Sequence, residues 1–213
     1  MTLLDALLRL LFPDRCAGCR RLGALFCASC QAALRPYTPD RRAPPAGLAQ
    51  VSIGYVFQSP LREAIHQLKY RKAQRVAEPL GTLLATQIAA QARELDAVLA
   101  VPLHADRLAE RGFNQAEALA RAVARGLRLP LISGPLVRVR ATEQQATQAD
   151  SRARAENMRG AFAWQGAPPP ARLVLVDDVY TTGATMGACA EALRHAGAAS
   201  VCGLALARSQ LKP

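Results

Sequence analysis

The strongest constraint on the fold is the order of short apolar runs and helical patterns in the second half of the chain. Ala97–Val101 is an apolar run closed by Pro102, and Asn114–Leu127 has the spacing of an amphipathic helix. Leu131–Val139 contains a further strand, Leu173–Val176 is a valine- and leucine-rich run, a helix spans about Gly183–Ala196 and stops at Gly197, and Ser200–Ala207 is the last strand. Strands that are apolar on both sides cannot leave a face to water. Their alternation with helices therefore predicts an α/β fold with a parallel sheet covered on both faces. Upstream, Val51–Phe57 alternates as a strand, Pro60 opens a helix over Leu61–Lys69, and Val76–Leu95 reads as a longer helix.

The 213 residues suffice for one such domain and a small module before it. A proline- and arginine-rich stretch without periodicity, Arg35–Gly47, marks the join, so the expected division is 1–47 and 48–213. With 51% hydrophobic and 20% charged residues, the composition argues against a disordered chain. The leucines of Leu3–Phe12 predict a short helix packed on the core. That run is broken by Asp5 and Arg9 and ends at Pro13, too short to span a bilayer. It also lacks the basic start and cleavage site of a signal peptide, so a cytoplasmic location is expected.

The net charge of +11 favours polyanionic partners, phosphates or nucleic acid. Arg62, Lys69, Arg71, Lys72 and Arg75 form the one local basic run, the candidate nucleic-acid contact; a solvated basic face is the alternative. Ten aromatic residues are scattered along the chain, so no stacking platform is evident and weak sequence preference is expected.

Cys16, Cys19, Cys27 and Cys30 form two CxxC knuckles seven residues apart. Four thiolates close a tetrahedral structural zinc site and leave no position for water. A redox or iron–sulfur role is the alternative for the same ligand set. Cys189 and Cys202 read as core residues.

The most specific segment is Arg172–Met186, RLVLVDDVYTTGATM. An apolar strand ends in Asp177 and Asp178, and the chain turns through Tyr180, Thr181, Thr182, Gly183, Ala184 and Thr185 into a helix. Carboxylates at a strand's carboxyl end can hold sugar hydroxyls, while threonine hydroxyls and helix N-terminal amides hold a phosphate. The segment reads as a ribose-phosphate cradle. Neither GxxxxGK[ST] nor GxGxxG is present, which excludes the usual P-loop and dinucleotide fingerprints.

The string VLVDDVYTTGAT resembles the motif of type I phosphoribosyltransferases that binds 5-phosphoribosyl 1-pyrophosphate (PRPP). Together with the CxxC pair, VPLHADRLAERGFNQAEALA (101–120), RATEQQ (140–145) and NMRGAF (157–162), the chain resembles the ComF family of competence-related phosphoribosyltransferase-like proteins along nearly its whole length. It departs from that pattern by an extra residue between Thr142 and Asn157. The resemblance implies a phosphoribosyltransferase-like sheet, with Asp177 and Asp178 on the ribose hydroxyls and residues 180–185 around the 5′-phosphate. Leu103, His104 and Ala105 would occupy the pyrophosphate loop, with Arg107, Arg111 and Asn114 in reach of anionic oxygens. Arg138, Arg140, Thr142 and Gln145 would lie on a closing loop. Magnesium accompanies PRPP in such a site.

What the resemblance implies for function is DNA uptake in natural transformation, with single-stranded DNA and a helicase-like competence protein as partners. Whether transfer to an acceptor occurs is left open: a phosphoribosyltransferase of nucleotide salvage, and a non-catalytic sensor, fit the same cradle. No general base is evident; His104 is the candidate by segment, whereas His66 and His195 read as structural.

Overall fold

The computed structural model describes residues 13–39, 43–69, 71–140, 158 and 160–209, with the backbone alone at 71 and 72. The expected helix at Leu3–Phe12 and the loop residues Thr142 and Gln145 lie outside the described residues. No helix among the described residues is long and apolar enough to cross a membrane.

The centre is a five-stranded sheet formed by β1 (Gln50–Val56), β2 (Ala97–Ala100), β3 (Leu131–Ile132), β6 (Arg172–Tyr180) and β7 (Ser200–Arg208), in the order β1-β7-β6-β2-β3. Every pairing in it is parallel, as the apolar strands required. Alternate residues of β6 enter opposite cores. Leu173 and Leu175 pack with Met186, Cys189 and Leu193 of a helix that follows β6, while Val174 and Val176 pack with residues of three helices on the other face. Those three are α2 (Leu61–Leu68), α3 (Ala77–Gln87) and α5 (Gln115–Leu127). A run of Leu61, Ile65, Leu68, Leu80, Leu84, Leu119 and Val123, all buried, fills the layer. Each such side chain contributes about 1.5–3 kcal/mol by leaving water.

Several boundaries differ from the sequence expectation, each for a local reason. The stretch expected as one helix over Val76–Leu95 is a 3-10 turn (Arg71–Val76), α3, and a second 3-10 turn (Ala89–Glu94). Ile88 breaks it by leaving helical geometry (φ −124°) with its side chain buried in the core. The strand expected within Leu131–Val139 becomes two, because Gly134 at φ +104° and Pro135 turn the chain out of the sheet. β3 stays on the sheet edge. β4 (Leu136–Arg138) pairs antiparallel with β5 (Phe162–Trp164) in a separate hairpin, with no counterpart in the sequence reading. A short helix, α4 (Ala105–Arg111), follows β2.

The N-terminal module holds one short helix, α1 (Ala28–Ala32), behind its second knuckle. Its buried residues Cys16, Ala17, Phe26 and Cys30 join the same core as α2 and α3. The Gln67 amide donates to the carbonyl of Ala17 at 2.7 Å and fixes the module on α2. The next helix in the chain, α6 (Ala184–His195), lies on the opposite face of the sheet against β4 and β5.

Candidate functional site

The sheet order creates a crevice. From β2 the chain winds outward through α5 to β3, and from β6 it winds the other way through α6 to β7. The carboxyl ends of β2 and β6 therefore diverge, and open parallel sheets bind ligands at such a switch point. The last bond between these two strands runs from the Val101 amide to the Val176 carbonyl at 2.9 Å. Pro102 has no amide to continue the ladder. β6 goes on beyond that point with β7 alone, through Asp177 opposite Ala205 to Tyr180 opposite Arg208. The strand thus runs past the carboxylates, where the sequence reading ended it.

Asp177 and Asp178 stand at that opening. The Asp178 amide donates to Asp177 Oδ1 at 2.8 Å, and the Val179 amide to Asp178 Oδ1 at 2.9 Å. Asp178 is 7% exposed, and its Oδ2 is buried with no hydrogen-bond partner among the described residues. Burial, and then the adjacent Asp178 charge, push the Asp177 carboxyl well above the usual carboxylate range; Lys69 works in the opposite direction. Cys189 of α6 is fully buried, and burial together with the Asp177 charge pushes its thiol up.

Beyond the pair, Thr181 and Thr182 are half-exposed and Gly183 is buried at the start of α6. Gly183 has φ +81°, and a Cβ there would stand 2.7 Å from Pro45 Cγ and overlap the Tyr180 hydroxyl. The turn requires glycine. The Ala184 amide points back to Thr182 Oγ1 at 3.4 Å, and Thr185 is half-exposed in the first turn of α6. A loop of this form, with helix amides behind it, suits a phosphate.

The segment after β2 forms the facing wall. His104 caps α4 by accepting the Asp106 amide on Nδ1 at 3.3 Å, and the Asp106 carboxylate lies equally close. The imidazole thus serves the shape of the loop entering α4. Leu103 is half-buried and Ala105 exposed. Asn114 is engaged at both ends of its amide: Nδ2 donates to the Val101 carbonyl at 2.9 Å and Oδ1 accepts from Ala116 at 3.0 Å. It ties the end of β2 to α5. Arg111 donates to Gln115 Oε1 at 3.0 Å.

The hairpin brings in a further cation. Arg138 at the end of β4 lies over the Phe162 ring at 5.7 Å. Burial, and then the neighbouring Arg107 charge, hold its pKa below the usual arginine value, while Cys189 opposes this. Arg138 and Arg107, from separate segments of the chain, therefore lie near each other and near Cys189 of α6. Arg140 is exposed.

Two arginines of the basic run are ion-paired. Arg62 pairs with Glu63 at 2.7 Å, and Arg75 pairs with Asp14 of the cysteine module at 2.9 Å. Lys69, immediately after α2, is the residue whose charge reaches Asp177. Lys69 belongs to the basic run expected to meet nucleic acid, and its place after α2 also brings its charge to bear on the carboxylates.

The four cysteines converge. Their Sγ atoms lie within 4.8 Å of one another, with Cys16–Cys30 and Cys19–Cys27 at 3.6 Å. Sulfurs bound to one tetrahedral zinc at about 2.3 Å would be spaced about 3.8 Å apart, so the cluster fits that ion. Although burial opposes it, amides directed at Cys16, the Cys27 amide at 3.3 Å among them, lower its thiol to about 6. A thiolate ligand needs that stabilisation.

The chain is 33% identical over 195 residues to the DNA utilization protein YhgH of Salmonella typhimurium, which covers 87% of this chain and 85% of that protein. It is 29% identical over 208 residues to competence protein F of Haemophilus influenzae, covering 91% and 90% of the two chains. The chain belongs to the ComF family. Competence protein ComFC of Streptococcus pneumoniae is 35% identical over 109 residues, 51% of this chain and 46% of that protein. No protein-family model matches the chain. This ComF-family chain thus combines a cysteine cluster fit for zinc with a five-stranded α/β sheet.

Proposed function

We propose that this protein binds PRPP or a related ribose phosphate with magnesium in the crevice between β2 and β6, and that it acts on single-stranded DNA during DNA uptake. The observation that carries the ligand reading is the placement of Asp177, Asp178 and the Thr181–Thr185 turn at the sheet's switch point. The names of the relatives carry the DNA role.

In this reading the carboxylates of Asp177 and Asp178 take the ribose hydroxyls, and the turn into α6 takes the 5′-phosphate. Lys69, Arg107 and Arg138 supply positive charge beside a pyrophosphate. Carboxylate oxygens suit magnesium, and Asp178 Oδ2 is an acceptor without a partner among the described residues. Magnesium would supply charge neutralisation for a departing pyrophosphate. The chain's residues hold the sugar, and the segment from Arg138 onward closes over it and excludes water. Residues 1–47 form the metal module and residues 48–213 the ligand-binding domain. A cytoplasmic site of action and a helicase-like partner complete the proposal.

Calorimetry with PRPP and magnesium tests the crevice. Asp177→Ala with Asp178→Ala should abolish binding while the protein stays folded; retained affinity would reject the assignment. A radiolabelled PRPP assay with a panel of bases then separates binding from transfer. Release of pyrophosphate only when a base is present would establish a phosphoribosyltransferase.

A further inference from the structure

At the end of the sheet beside the crevice, Val56 of β1, Arg208 of β7 and Tyr180 of β6 stand in register. Along the outer edge of β1 the chain from Arg35 to Tyr37 runs antiparallel, with the Val56 amide donating to Arg35 at 2.9 Å and the Tyr37 amide to Gly54 at 3.0 Å. Arg35 is thus level with Val56 and Arg208, and Tyr37 with Gly54, two residues further in along β1. The guanidinium of Arg208 lies 4.7 Å from the Tyr180 ring centroid and 5.9 Å from that of Tyr37. Tyr180 is buried; Arg208 and Tyr37 are half-exposed.

A second pair of planar groups stands at the same end of the sheet but on the side of α2, whereas Tyr180 packs on the side of α6. The Phe57 amide donates to the Arg208 carbonyl at 2.8 Å, and the Phe57 ring stacks on His66 at 6.2 Å with 28° between planes. Phe57 is half-exposed and His66 exposed. Three rings and one guanidinium thus reach the surface around the carboxyl ends of β1 and β7, from the two faces of the sheet. The sequence reading found no such cluster.

We propose that this edge is a stacking platform for unpaired nucleotides of single-stranded nucleic acid. Stacking on rings and on a flattened guanidinium needs exposed base faces, which a duplex lacks. Arg35, Arg208 and Lys69 supply positive charge for the backbone, and Glu63, the sole acidic residue of α2, is paired with Arg62. The platform leads to the crevice, since Arg208 is in register with Tyr180, three residues beyond Asp177. A nucleotide stacked there adjoins the proposed ribose-phosphate site.

The proposal rests on the DNA reading above, and the experiment separates the two. Fluorescence anisotropy compares a 20-residue oligothymidylate with an abasic oligonucleotide of the same length and charge. The wild-type protein should favour the oligothymidylate. Tyr37→Leu and Phe57→Leu should each weaken it about ten-fold and leave abasic binding nearly unchanged. Tyr37→Phe, which keeps the ring, should restore the preference and controls for misfolding. Equal affinity of the wild-type protein for both oligonucleotides, or a preference that survives both leucine variants, overturns the platform while leaving DNA binding intact. No binding of either oligonucleotide by the wild-type protein overturns the DNA reading itself and the platform with it.

Discussion

The cysteine cluster and the carboxylate crevice are built in opposite ways. Cys16, Cys19, Cys27 and Cys30 come from one short stretch of chain, and two tight turns suffice to bring their sulfurs within 4.8 Å. The crevice draws on Lys69, Arg107, Arg138 and Asp177, which the parallel pairing of β2 with β6 and the docking of the β4–β5 pair on α6 bring together. A local site tolerates changes elsewhere; a site assembled by topology depends on every element that supports it.

The two regions nevertheless share a core, and this can be tested. Cys16 and Cys30 are buried with α2, whose end carries Lys69. Cys30→Ser should release the metal, expected at about one zinc per chain, and destabilise the protein by several kcal/mol, because metal-binding energy is folding energy. Elemental analysis and chemical unfolding measure this. If the module were independent, PRPP affinity would survive metal loss; we expect it to fall.

A smaller effect is expected at Gly183, where φ +81° and the adjoining Tyr180 and Pro45 leave no room for a Cβ. Gly183→Ala should cost about 1–3 kcal/mol of backbone strain. It should lower PRPP affinity and leave metal content unchanged, as calorimetry and elemental analysis would show.

Lys69→Met retains the stem and removes the charge. Loss of one charge facing the ligand should reduce PRPP affinity about ten-fold with little change in unfolding. If DNA affinity falls and PRPP affinity does not, Lys69 belongs to the basic surface and the crevice is smaller than described.

The smallest expected effect is a pH dependence. Because burial and Asp178 raise the Asp177 pKa in the folded state, its favourable contribution is complete below the unfolded value and is lost as pH rises through the folded value. Stability should therefore decline on raising pH above the ordinary carboxylate range. Asp177→Asn should flatten that decline and raise Tm at neutral pH. A thermal scan series that is identical for both proteins would show that the pair is solvated.

Much of this protein is decided by local chemistry that reads directly from the chain. Leu173–Val176 is apolar at every position and had to be a strand covered on both sides, Asn114 and Gly183 sit where α5 and α6 begin, and the CxxC spacing brings sulfurs together. Tertiary structure decided the rest, because long-range pairing has no local signature. Tyr180 stays in the strand since β7 extends to meet it at Arg208, and Leu131–Val139 divides between two sheets since Gly134 and Pro135 turn it away. Lys69 reaches Asp177 only when α2 packs on the sheet, and Tyr37 meets Arg208 only when β1 and β7 pair at the sheet edge. Side-chain periodicity specifies which face of an element is buried, but the register between distant elements depends on how their surfaces fit once the chain has closed.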